Sequence, residues 1–190
     1  MPTWAWVIIA IVVIAAVAFA VWTAMRKRRT NTLRQQFGPE YDRTLDETGD
    51  AREAESELER RRRRRADLDI RPIASDARQR YADEWRAVQA RFVDDPGGSV
   101  GEADSLVTRV MRDRGYPMDD FDQRAADVSV DHPEVVIDYR SAHDISTRSA
   151  KGQANGQTET EDLRQAMVHY RALFEILLED DSGEDVSQAT

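Results

Sequence analysis

"TEDLRQAMVHYRALFEILLE", residues Thr160 to Glu179, decides how this chain folds. Leu163, Ala166, Met167, Tyr170, Leu173, Phe174, Leu177 and Leu178 recur at the three-and-four spacing that gathers them on one stripe of an α-helix. A half-buried strand would alternate at every second residue, and no window from Ile70 onward sustains that period. The same helical period continues upstream. "SDARQRYADEWRAVQARFV" sets Tyr81, Trp85, Val88 and Phe92 on one face, with Ser75 as the expected N-cap. "DDPGG" (Asp94 to Gly98) reads as a break. "SVGEADSLVTRVMRDRGYP" then opens on a capping-box spacing, Ser99 to Glu102. It turns Ala103, Leu106, Val107, Val110 and Met111 inward and stops at Gly115, with Pro117 just beyond.

A shorter helix follows in "MDDFDQRAADVSV", presenting Phe121, Ala125 and Val128. Another starts at Pro133, where the missing N–H costs nothing, and carries Val135 or Val136, Tyr139 and Ala142. Lys151 to Thr160 reads as a polar loop, and residues 180–190 as a disordered acidic tail. Five helices between 70 and 179 suffice to bury one core, so the expected class is all-α.

The other end of the chain has a different character. "WAWVIIAIVVIAAVAFAVWTA" (Trp4 to Ala24) contains no charge, and as a helix it rises about 31 Å, close to the thickness of a bilayer's hydrocarbon core. Trp4, Trp6 and Trp22 stand near its ends, where indole rings favour the headgroup level, and Arg26, Lys27, Arg28 and Arg29 follow at once. A cleaved signal peptide is the competing reading, because "AFA" (Ala18 to Ala20) resembles a cleavage site; the product would then be a secreted helical protein. Such a peptide places positive charge before its apolar core, whereas here the charge comes after it. This order favours an uncleaved single-pass signal-anchor in a cell inner or plasma membrane, N-terminus outside and body cytoplasmic.

Charge divides the chain again. Residues 26–65 sum to +4 and residues 66–190 to −13, giving the overall −9 that argues against a general nucleic-acid binder. Cysteine is absent, which excludes disulfides and thiolate chemistry. The expected organisation is an anchor over 1–25, a basic collar and charged juxtamembrane helix over 26–69, a helical domain over 70–179 and the tail over 180–190. Within the collar Leu33, Phe37, Tyr41 and Leu45 recur every four residues, although Gly38-Pro39 interrupts any continuous helix. The juxtamembrane helix, about 50–67, has only Ala51, Ala54 and Leu58 as its apolar line.

That helix contains six consecutive arginines, Arg60, Arg61, Arg62, Arg63, Arg64 and Arg65. Three uses compete: a solvated helix or coiled-coil flank, a contact with anionic lipid, and a nucleic-acid handle. Six helical residues sweep about 600° around the axis, so the row forms no single patch. Glu57, Glu59, Asp67 and Asp69 stand three or four residues from it, and from Glu53 to Asp69 the charges cancel. The solvated helix is the preferred reading, and a lipid contact requires the chain to fold back at Gly38-Pro39.

"FGPEYDRTL", "LDIRPI", "RYADEWRAVQARFVDDP", "ADSLVTRVMRDRGYPMDDFDQRAADVSVDHPEVVIDYRSAH" and "TEDLRQAMVHYRALFEILL" together resemble a family of uncharacterised bacterial single-span proteins, labelled membrane or secreted proteins. The resemblance implies a bacterial envelope protein and transfers no catalytic residue.

Chemistry-bearing patterns are sparse. His132, His143 and His169 lie in no HExxH or comparable ligand spacing, and no GxGxxG, phosphate-binding loop or GxSxG occurs. Asp94-Asp95 and Asp119-Asp120 are ordinary turn and cap pairs. "RGYPMDDF" offers Arg114, Tyr116 and Phe121 either as a peptide-docking surface or as an interhelical turn, with the turn preferred. The resulting expectation is a non-enzymatic, membrane-anchored cytoplasmic module without a cofactor or catalytic residue. It binds a protein partner or itself, and the alternative is an anionic-lipid or nucleic-acid tether through the arginine-rich collar, with nucleic acid the less favoured ligand.

Overall fold

A computed structural model describes the backbone of residues 3–152 and 156–179, leaving out the side chains of 3, 5–12 and 156–159. Its described elements are eight helices and no strand: α1 (Thr3–Phe37), α2 (Pro39–Thr48), α3 (Ala51–Ala66), α4 (Ser75–Arg91), α5 (Pro96–Arg114), α6 (Phe121–Asp131), α7 (Pro133–Ala150) and α8 (Gly156–Glu179). The chain divides into two compact units, 1–58 and 59–190. The proposed tail, 180–190, lies outside the described residues.

In the first unit the four-residue stripe of the collar becomes a small core. Leu33, Phe37 and Tyr41 are buried together with Ala54 and Leu58. Gly38 breaks the helix at φ 47° and ψ −126°, and Pro39 restarts it at a first-turn position. Gly49 ends α2 in the left-handed region, its N–H donating to the Leu45 carbonyl at 2.8 Å. Two closely spaced breaks thus bring α3 back beside α1, where Thr30 Oγ1 donates to Glu55 Oε1 at 2.6 Å. Among the described residues, no helix is long and apolar enough to cross a membrane. The apolar run includes 5–12, whose side chains are outside that set.

In the second unit α8 is the central element, packing against α5 and α7, while α4 covers α5 and α6 covers α7. Its expected stripe is buried throughout: Leu163, Ala166, Met167, Tyr170, Leu173, Phe174, Leu177 and Leu178. Each large side chain of this kind stabilises the fold by about 1.5–3 kcal/mol relative to exposure. Trp85 stacks on Phe174 with centroids 4.6 Å apart, joining α4 to α8.

Three local expectations need correction. Ser75 is the first helical residue, and the N-cap is Ala74, which supplies no side-chain bond. α5 begins three residues before Ser99, because Asp95 caps it, accepting from the Gly98 N–H at 3.0 Å with Pro96 in the first turn. Ser99 is therefore buried inside the helix and caps nothing. The loop after α7 is also shorter than Lys151 to Thr160, since α8 has begun by Gly156.

Candidate functional site

The arginine row is a set of six differently employed side chains. Arg62 follows the local expectation, reaching Glu59 three residues back at 2.7 Å, and Arg63 Nε donates to the Glu59 carbonyl. Arg61 is 8% exposed. Arg64 and Arg65 depart from the expected pairing with Asp67 and Asp69. Arg64 Nε donates to Asp127 Oδ1 at 2.9 Å and its Nη2 to Asp119 at 2.5 Å, while Arg65 Nε bonds Asp131. The hydrogen bond to Asp127 leads the causes that raise the Arg64 pKa further above its ordinary value. Asp127 is fully buried and also accepts from Gln123 Nε2 at 3.0 Å. The end of α3 is thereby stitched along α6, and the solvated-helix reading holds only for part of the row.

Arg114 and Tyr116 belong to the same framework. Both are buried, so they do not form a docking surface. Arg114 Nη1 donates to the Leu177 carbonyl at 2.6 Å, near the end of α8, where backbone acceptors lack helical partners. Tyr116 Oη donates to the Asp131 oxygen that also receives Arg65. Burial, followed by the Asp131 charge, pushes the Tyr116 hydroxyl pKa up. The turn reading of "RGYPMDDF" therefore matches the geometry, with Gly115 at φ 99° as its pivot.

Phe121 sits in a different cluster, half-buried among polar and aromatic groups. Its ring stacks on His143 with centroids 3.6 Å apart and 8° between planes, and tilts against Tyr139 at 4.9 Å. His143 Nδ1 lies 3.6 Å from Asp104 Oδ1, which accepts from Tyr170 Oη at 2.8 Å. Burial raises the Asp104 pKa, but His143 and Tyr170 more than reverse this and leave it below the usual value. Its contribution to stability is accordingly present above the unfolded carboxylate pKa and lost as pH falls through the lower folded value. Burial pushes the Tyr170 hydroxyl strongly the other way, so it keeps its proton as a donor to Asp104. This is a network that joins α5, α6, α7 and α8.

His132 is buried at the junction where α6 ends and α7 begins, and His169 Nδ1 stands 3.2 Å from Asp138 Oδ1. Among the described residues, no group of three or more His, Asp or Glu is placed to hold a metal.

The strong displacement of tyrosine ionisation is directly measurable. Burial and the bond to Asp113 at 2.6 Å push Tyr81 up to about 12, and Tyr116, Tyr139 and Tyr170 shift in the same direction, chiefly through burial. A folded-state pKa above the unfolded value contributes stability that is complete below pH 10 and lost as pH rises through the folded values. Tyrosinate absorbance of the native protein is expected to lag that of the urea-denatured chain throughout this window. Coincident titration curves would contradict the buried network.

One surface of the helical domain remains open and partly apolar. Between α4 and α8 runs a groove of about 570 Å³, lined by the apolar Trp85, Phe174 and Leu178 and by charges of both signs, Arg78, Arg86, Arg171, Glu175 and Glu179. A shallower cleft of about 200 Å³ continues it past Gln89 to Phe92 and the 48%-exposed Val168. No family model, curated protein or solved structure matches this chain.

The residues expected at a membrane interface lie on α1. Trp4 and Trp22 are exposed, whereas the Trp6 side chain lies outside the described residues. Arg26 stands over the Trp22 ring at 5.7 Å from its centroid, and Lys27, Arg28 and Arg29 are exposed beside it. The four-residue period of Leu33, Phe37 and Tyr41 in the collar is legible in the sequence. The stitch from Arg64 and Arg65 to α6 is not, because only the tertiary fold brings those acids near.

Proposed function

We propose that this chain is a membrane-anchored, non-enzymatic helical module that binds a protein partner or a second copy of itself. One observation carries the reading: Val13, Ile14, Val17, Phe19, Val21, Trp22 and Met25 are all more than half exposed on α1. Residues at these positions point to every side of the helix, so no single packed neighbour covers them, and a lipid environment does. The charge order, apolar run then Arg26 to Arg29, supports a body on the cytoplasmic side. The resemblance to bacterial single-span proteins agrees with it.

For the body, the α4–α8 groove supplies an apolar floor, edges of mixed charge and a length of about 21 Å along α4 from Ser75 to Gln89, dimensions suited to an amphipathic helix. The tether reading through Arg60 to Arg65 is weaker, because Arg61, Arg64 and Arg65 are committed within the protein.

Two measurements on cells producing the full chain test the proposal. Alkaline carbonate washing is expected to leave the protein in the membrane pellet, and protease is expected to digest the body only in inverted vesicles. Release of a shortened body into the medium would establish the secreted alternative instead. A photo-crosslinker at Val168 is expected to yield one discrete adduct, with a partner or a second copy, that Ala82→Glu abolishes. Persistent absence of any adduct would reject the groove as the docking face.

A further inference from the structure

The return of α3 beside α1 creates a second cleft, of about 680 Å³, in the first unit. Trp22, Met25, Arg26 and Arg29 line it from α1, and Arg52, Glu55 and Ser56 from α3. The fold-back sets Arg52 of α3 beside the cleft that Arg26 and Arg29 of α1 also line, and Glu55 there accepts from Thr30 at 2.6 Å and Tyr41 at 3.4 Å through Oε1. Guanidinium geometry matches phosphate oxygens, which it bonds in pairs.

The apolar and basic residues are ordered along α1. Met25 and Arg29 are four residues apart, about 6 Å along the axis, so an apolar wall passes into a basic one over the depth of a lipid's glycerol-phosphate region. Arg26 already packs over the Trp22 indole, holding its charge at that boundary. Arg52 is the informative member. It belongs to α3, outside the continuous basic run, and reaches the cleft only because Gly38 and Gly49 turn the chain back.

We propose that this cleft binds the phosphodiester headgroup of an anionic phospholipid, with Arg26, Arg29 and Arg52 on the phosphate and Trp22 and Met25 along the upper acyl chain. The inference rests on the anchor reading, since only a membrane-embedded α1 brings the cleft to headgroup depth.

The test uses the full chain in nanodiscs of mixed phosphatidylglycerol and phosphatidylcholine, with native mass spectrometry reading the lipid that stays bound. Wild type is expected to retain phosphatidylglycerol selectively. Arg52→Gln is expected to reduce that retention about five-fold, Arg52→Lys to restore most of it, and Arg28→Gln, an equal loss of charge outside the cleft, to reduce it less than two-fold. Wild-type retention in Arg52→Gln, or equal loss in Arg28→Gln, would overturn the site and leave the anchor standing. Displacement of the lipid by soluble glycerol 3-phosphate would show a free phosphate site and overturn the lipid assignment. Failure of the chain to enter nanodiscs at all would defeat both readings.

Discussion

Arg64→Ala is expected to destabilise the helical domain by about 2–3 kcal/mol, although the residue it removes is more than a third exposed. The cost arises at the other end of the bond. Asp127 is buried, with a side chain 1% exposed, and receives Arg64 Nε and Gln123 Nε2 on one oxygen. Loss of the guanidinium leaves a buried carboxylate with one neutral donor, which must either protonate or draw in water. The reverse substitution behaves differently: Asp127→Asn removes the buried charge and leaves Arg64 near Asp119 and solvent, for about 1 kcal/mol. Combining the two is expected to cost less than their sum. Arg62→Ala, in the same row but paired only with Glu59 at the surface, should change stability by less than about 0.5 kcal/mol. Chemical denaturation and hydrogen exchange across α6 measure all four. Equal effects of Arg62→Ala and Arg64→Ala would show that the row acts as a solvated surface and that the stitch contributes nothing.

This asymmetry bears on what the sequence could reveal. The helical period of Thr160 to Glu179 forecasts burial directly, because neighbours three and four residues apart share a face whatever surrounds them. The same logic finds Leu33, Phe37 and Tyr41, and places Pro39 and Gly115 as punctuation. Local reasoning also finds Arg62 with Glu59. It fails for Arg64 and Arg65, whose acids lie more than fifty residues away and become neighbours only when α6 docks. The caps mark an intermediate case. "DDPGG" contains both Asp95 and the first-turn Pro96, a helix start by composition, but its two glycines favour the reading of a break. Arg114 illustrates a third limit: a charged residue before a turn reads as exposed, yet its fork is used to satisfy the carbonyl of Leu177 inside the domain.

The candidate sites divide along the same line. Trp22 and Arg26 to Arg29 were apparent from the order of apolar and basic residues. Arg52 was not, since in sequence it is one charge among many between Asp50 and Asp69. Only the fold-back at two glycines makes it a neighbour of Arg26 and Arg29. The proposed lipid site thus depends less on the density of arginine than on where the fold places each one. Arg64 and Arg65 tie the end of α3 to α6, Arg61 is buried, and Arg26 and Arg52 line a cleft.

Gly115→Ala tests the corner on which that stitching depends, and its expected cost is about 3 kcal/mol or more. Two independent penalties combine. Gly115 adopts φ 99°, where an L side chain is strained, and a Cβ there would stand 2.4 Å from the Asp69 carbonyl oxygen. That oxygen belongs to the segment between α3 and α4, which is held to the corner by the Arg71 N–H donating to the Arg114 carbonyl at 2.8 Å. Relief of the clash requires the segment to retreat, and retreat breaks this bond and loosens Ile73, which is 4% exposed. Gly38→Ala shares the positive φ but meets nothing within 4 Å, so it is expected to cost only the backbone term, about 1–3 kcal/mol. The Arg71 amide is the discriminating probe. Faster hydrogen exchange there in Gly115→Ala, but not in Gly38→Ala, follows from the close approach of Asp69. Unchanged protection with a full loss of stability would place the whole penalty in the backbone of Gly115 and remove the segment from the corner's energetics.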